Sequence, residues 1–213
     1  MSPSDAAGPD RRWTAVRPGN TYDKYGTSNP VARRLVAGFL REVDAMIDTA
    51  RPSDLLDVGC GEGIVTARIA ARAGVSRALG LDRESELLRG HWAQHRCAGL
   101  DFDIGDAHAL PFDDGTWDLA CSIEVLEQVQ DPREALGELA RVARRHVLVS
   151  VPREPIWRVL NVARGAYLRA WGTPPGSVHS FSSRAFIKLC RTAGEPAKVA
   201  TPLPWTMVLL RVG

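Results

Sequence analysis

Cysteine is scarce, with four residues at positions 60, 97, 121 and 190. They show neither Cys-x-x-Cys spacing nor clustering with histidine, so neither a disulfide framework nor a zinc site is expected. The opening residues MSPSDAAGPDRR lack the apolar stretch of a secretory signal. No run approaches the roughly 18 consecutive apolar residues of a membrane span. Together these absences give the expectation of a reduced, soluble, cytoplasmic protein. Lysine is almost missing, with Lys24, Lys188 and Lys198 against 24 arginines, a bias of composition from which no function is read. An excess of one charge is missing too, because 27 basic and 25 acidic residues leave +2. That balance lends no support to a strongly basic nucleic-acid binder or an acidic solvating tail. No internal repeat or low-complexity block interrupts the chain. What remains is 213 residues, 45% hydrophobic, enough for one domain with a full core.

Residues 1–20 are rich in Pro, Gly, Ser, Asp and Arg without periodicity and read as a mobile tail. Asn29-Pro30 reads as a cap followed by proline at the first helical position, and Val31, Leu35, Phe39, Val43 and Met46 or Ile47 follow at helical spacing. From Leu55 short apolar runs alternate with helical stretches. Strands are expected at 55–58, 77–81, 100–104, 117–122 and 146–151, with helices at 62–73, 84–95 and 132–144 between them. This alternation implies βαβ units and a doubly wound, mostly parallel sheet with helices on both faces. Helices at 156–171 and 183–193 follow, and segments 196–200 and 205–212 are candidate closing strands.

The segment Leu55-Leu56-Asp57-Val58-Gly59-Cys60-Gly61-Glu62-Gly63-Ile64 runs from a buried strand through three alternate glycines into a helix. In a doubly wound sheet that is where a ligand approaches backbone at a helix N-terminus, and the glycines are expected to leave the ligand its space. Asp82, about 20 residues on, ends the second strand, where a carboxylate can accept from both hydroxyls of a ribose. Asp106 follows the third strand, from where it can accept from an adenine amino group. The dinucleotide fingerprint Gly-x-Gly-x-x-Gly/Ala fails, because its last position is Ile64. Asp57 would also repel a pyrophosphate, so a ligand carrying positive charge suits the loop better.

DVGCGEG, LGLD, GDAHALPFDDGTWDLA and CSIEVLEQVQDP, in that order and spacing, resemble class I S-adenosylmethionine-dependent methyltransferases, in particular the group that includes ubiquinone and menaquinone methylases. The resemblance spans about residues 22–152. It implies a Rossmann-like seven-stranded sheet whose last strand is antiparallel, with S-adenosyl-L-methionine as cofactor. It further implies Asp57, Gly59, Cys60 and Gly61 around the methionine part, Asp82 and Arg83 at the ribose, and Asp106 and Ala107 at the adenine. Ser122 and Ile123 would line the methyl group, and Tyr22 would lie over the methionine end.

Methyl transfer from a sulfonium asks chiefly for alignment and exclusion of water, and a base is needed only where the acceptor must lose a proton. Glu124 and His179 are the candidate catalytic residues, and His108 reads as a loop residue with a hydrogen-bonded ring. Glu124-x-x-Glu127-Gln128 resembles the Glu-x-x-Glu-His metal segment of some relatives, but an amide replaces the histidine, so no metal is expected. Trp157, Leu160, Arg164, Tyr167 and Trp171 share one helical face. Of these Trp157, Arg164 and Tyr167, with Arg153, are candidate substrate residues in an acceptor-side lid over 153–182, within a single domain spanning 21–213. The expected acceptor is a small apolar molecule, with a negative group for the arginines to meet, and O-methylation is favoured over C-methylation. No nucleic-acid partner is expected, and Trp with Arg also suits contact with an anionic membrane surface. The alternatives are a nicotinamide-dependent oxidoreductase and a non-catalytic methyltransferase-like partner protein. The small net charge conceals a division, since residues 1–152 carry −5 and residues 153–213 carry +7. The basic part is the acceptor-side part.

Overall fold

A computed structural model describes residues 28–83, 85–163, 171 and 177–213. Seven strands form one sheet: β1 (Asp54–Val58), β2 (Arg77–Asp82), β3 (Leu100–Ile104), β4 (Trp117–Ile123), β5 (Ala143–Pro152), β6 (Glu195–Ala200) and β7 (Trp205–Arg211). Their order is β3-β2-β1-β4-β5-β7-β6, parallel through β5, with β7 antiparallel to both neighbours. The described helices are α1 (Pro30–Ala50), α2 (Ile64–Ala70), α3 (Glu86–His95), α4 (Pro132–Val142), α5 (Ile156–Ala163) and α6 (Ser183–Cys190). The doubly wound architecture with an antiparallel last strand is therefore as the sequence implied.

Two apolar layers sandwich the sheet. One packs α1, α2 and α3 against Leu55, Leu119, Leu148 and Met207, and the other packs α4 and α6 against Leu56, Ala120, Val149 and Val208. Strands whose two faces are both covered read as the near-continuous apolar runs seen in the sequence. At the amino ends of the strands, Asp118 accepts from the Ser53 amide and hydroxyl and from Arg144, pinning β1, β4 and β5 in register.

Asn29 caps α1, its side chain accepting from Val31 N at 2.9 Å and Ala32 N at 3.2 Å. The buried stripe runs from Val36 through Phe39, Val43, Met46 and Ile47, while Val31 is exposed. α2 is shorter than the expected 62–73: Gly63, at φ +83°, is left-handed and the helix begins just after it, two residues later than expected, and it ends at Ala70, three residues earlier. β5 begins at Ala143, three residues earlier than expected, and takes over the end of α4. α6 stops at Cys190 instead of 193. Among the described residues, no helix is long and apolar enough to cross a membrane. The N-terminal stretch with Tyr22, and the later positions Arg164 and Tyr167, lie outside the described residues.

Candidate active site

The glycine turn leaves β1 with Gly59, Gly61 and Gly63 at φ +79°, +53° and +83°. Gly59 N and Cys60 N donate to Leu81 O at 2.7 and 3.0 Å, tying the turn to the end of β2. Asp82 completes the tie. Its Oδ2 accepts from Gly61 N and its Oδ1 from Arg83 N, both at 2.7 Å. The three glycines answer different demands, which corrects the expectation that all of them clear space for a ligand. A Cβ on Gly59 would lie 2.2 Å from Val125 Cγ2, and one on Gly63 would lie 2.7 Å from the Phe102 ring. Those two are required by packing inside the protein. Gly61 alone faces open space, with nothing within 4 Å of an added Cβ.

Asp57 does not line the turn's surface but lies beneath it, only 2% exposed. The Thr66 hydroxyl, one turn into α2, donates to its Oδ2 at 2.6 Å, and its Oδ1 is buried without a hydrogen-bond partner. Burial pushes the carboxyl up to about 6, against the lowering effect of Thr66 and with a smaller push from nearby Asp82. Burial, with Asp57 and Asp82 behind it, also drives the Cys60 thiol well upward, so that residue sits in the turn as an uncharged thiol.

Asp106 follows β3 and accepts at Oδ1 from both His108 N and His108 Nδ1, each at 2.9 Å. His108 Nε2 in turn accepts from Asp131 N at 3.4 Å, which assigns the proton to Nδ1. The hydrogen-bonded loop histidine is therefore as expected. Ala107 packs against the second apolar layer.

On the other side of β1, Ser122 is buried and Ile123 half-buried at the end of β4. Glu124 turns the chain at φ +60°, its amide donating to Ser150 O at 3.0 Å. Its carboxylate accepts from the Trp205 indole N–H, and Gln128 Nε2 donates to its carbonyl at 2.7 Å. The Trp205 ring is held by Phe39 at 4.8 Å and Trp157 at 5.7 Å between centroids. Trp157 thus packs inward on the core, whereas Trp171, expected on the same stripe, is 82% exposed. Arg153 joins the same corner through its amide to Pro204 O at 2.8 Å.

His179 is anchored to the loop after β4, its amide donating to Glu127 O at 2.9 Å and its Nε2 lying 3.1 Å from Gln130 O. A carbonyl can only accept, so Nε2 carries the proton and Nδ1 is left as the acceptor atom. The segment 124–130 therefore gathers both candidate bases at the carboxyl end of β4. Sequence reasoning missed Thr66, Ser150, Trp92, whose indole donates to Gly61 O at 2.8 Å, and Trp205. Only Thr66 carried a local signal, lying within one helical turn of the glycine loop; the others are brought in by strand order and helix packing.

Residues 56–151 match the family described as methyltransferase domain. The chain is 34% identical over 131 residues to norajmaline N-methyltransferase of Rauvolfia serpentina, covering 59% of this chain and 44% of that protein. It is 40% identical over 108 residues to the ubiquinone/menaquinone biosynthesis C-methyltransferase UbiE of Roseobacter denitrificans, covering 47% and 43%. The chain thus spans less than half the length of these relatives. Magnesium protoporphyrin IX methyltransferase of Synechocystis, solved with bound SAH, shares the fold with a TM-score of 0.64 at 20% identity, over 88% of this chain and 90% of that one.

Proposed function

We propose that this chain, whose residues 56–151 match the methyltransferase-domain family, transfers a methyl group from S-adenosyl-L-methionine to a small, apolar acceptor. The observation that carries this is the pairing of an unpartnered, buried Asp57 Oδ1 with the open space before Gly61. A buried carboxylate oxygen without a donor favours a ligand that brings an N–H or a positive charge. A pyrophosphate brings neither, which disfavours a nicotinamide dinucleotide there.

The residues fit the cofactor as follows. Asp57, Gly59, Cys60 and Gly61 would hold the methionine end, Asp82 with Arg83 the ribose, Asp106 with Ala107 the adenine, and Ser122 with Ile123 the carbons about the sulfur. Bound there, the sulfonium supplies an activated methyl group and a neutral leaving group. The protein's part is to orient the acceptor in line and to keep water out. Where the acceptor is a hydroxyl its proton must leave, and Glu124, on segment 124–130, or Nδ1 of His179, anchored to that segment, would take it. Both candidate bases support O-methylation first and methylation of an activated ring carbon second. Residues 21–213 act as one domain in this reading, with 153–182 on the acceptor side, where Arg153 and the +7 charge of the C-terminal part favour a negative group elsewhere on the acceptor.

Calorimetric titration with S-adenosylmethionine and with NAD tests the cofactor: saturable binding of the first alone is expected, and binding of NAD alone overturns the proposal. Incubation of host extract with the protein and methyl-labelled cofactor, followed by untargeted mass spectrometry, is expected to show a labelled small product. Cofactor binding without any labelled product would favour a non-catalytic role.

A further inference from the structure

Ser150 Oγ and Trp157 Nε1 are buried polar atoms without a hydrogen-bond partner, and both lie on the acceptor side of the sheet. Such an atom destabilises the fold when left unsatisfied, and native proteins keep few of them. Arg153 Nε is a third such atom nearby, and the two that adjoin the Trp205 ring are open to a common partner. Strand register sets Ser150 opposite Ile123 on β4 and Met207 on β7, on the face it shares with Leu148. Trp205 pairs with Pro152, two residues further along β5, and is therefore the diagonal neighbour of Ser150 on that face. Trp157 stacks on the same Trp205 ring, and Glu124 joins the group through its amide to Ser150 O and its carboxylate to the Trp205 indole. Ser150 and Trp157 thus flank one candidate base inside an otherwise apolar wall of Ile123, Met207 and Trp205.

An indole N–H only donates, whereas a serine hydroxyl both donates and accepts. A single group that can satisfy both is a hydroxyl, which accepts from Trp157 Nε1 and donates to Ser150 Oγ. We propose that Ser150 Oγ and Trp157 Nε1 form a polar subsite that receives the hydroxyl of a flat, apolar methyl acceptor beside Glu124; this rests on the methyltransferase reading above. Both atoms are covered in this structure, so the proposal requires α5, which carries Trp157, to shift off Trp205 when the ligand enters.

The test uses the full chain saturated with S-adenosylhomocysteine and compares equilibrium binding of 2-naphthol and naphthalene. The protein should prefer 2-naphthol by about tenfold or more, the value of one or two hydrogen bonds. Trp157→Phe, which keeps an aromatic side chain but has no N–H, and Ser150→Ala, which removes only the hydroxyl, should each abolish most of that preference while lowering naphthalene affinity far less. Ser150→Ala should also raise the thermal midpoint of the ligand-free protein, since it removes a buried hydroxyl that makes no bond there. An undiminished preference in both variants, no preference in the parent protein, or failure of both compounds to bind the S-adenosylhomocysteine complex overturns the subsite alone. Failure of S-adenosylhomocysteine itself to bind overturns the methyltransferase reading and the subsite with it.

Discussion

Replacing Asp57 by Asn isolates the cost of burying a carboxylate beneath the glycine turn. The carboxyl is raised from an ordinary 3.8 to about 6 by burial. Between those two values the unfolded chain has released a proton that the folded chain still holds, so stability falls as pH rises across that window and stays reduced above it. At about 1.4 kcal/mol per pH unit, the charged form costs the folded protein about 3 kcal/mol at pH 7 and above. Asn keeps the volume and the acceptor for the Thr66 hydroxyl and cannot ionise. The variant should therefore melt about 6–12 °C higher than the parent at pH 8, given roughly 2–4 °C per kcal/mol for a domain of this size. At pH 4 the two should melt together, because the parent is then protonated. Thermal unfolding followed by circular dichroism at pH 4, 6 and 8 measures this directly. The same variant should bind S-adenosylmethionine more weakly at pH 8, and parent affinity should rise with pH through about 6 as the carboxylate forms. A variant less stable than the parent at pH 8, or an offset independent of pH, refutes the reasoning about burial. Unchanged cofactor affinity refutes the role assigned to the free oxygen.

Gly59→Ala should cost about 2–4 kcal/mol in denaturant unfolding, because the new Cβ meets Val125 at 2.2 Å on a left-handed backbone. Val125→Ala in the same chain should recover part of that loss, leaving the backbone component. Gly61→Ala, which meets no protein atom, should cost only about 1–2 kcal/mol of stability while weakening cofactor binding more than Gly59→Ala does per unit of stability lost. Asp118→Asn should lower stability by about 2 kcal/mol at pH 7 through weakened bonds to Ser53 and Arg144. Burial raises the Asp118 carboxyl, but the Ser53 and Arg144 bonds outweigh it and hold it at about 2. Its contribution is present above the ordinary 3.8 and is lost as pH falls through about 2, so the gap between variant and parent should close in acid.

The order of strands and helices was legible in the chain because the parallel strands are short apolar runs or, in β3, an apolar–acidic alternation, and each helix between them carries its own cap or starting glycine. Asn29, Asp131 and Ser182 cap where local chemistry says they should. Boundaries were less legible where two elements meet without punctuation. Ala143 suits helix and strand alike, and its pairing with Trp117 of β4 decides in favour of β5, leaving Val142 as the end of α4. The extent of the Trp157 helix and the position of Tyr22 fall outside the described residues.

The candidate site divides the same way. Asp57, Gly61, Asp82 and Asp106 could be picked out by sequence alone, because a glycine turn and strand-end carboxylates are local features tied to a fixed spacing. The chain could not say that Asp57 is buried with one oxygen unsatisfied, since that depends on Thr66 and on the residues that close over it. Nor could it join Glu124, Ser150, Trp157 and Trp205, which lie up to 81 residues apart. Their meeting requires β7 to insert antiparallel between β5 and β6, and no single segment specifies that placement. Local chemistry determined the proposed cofactor side of this protein, and strand order decided the proposed acceptor side.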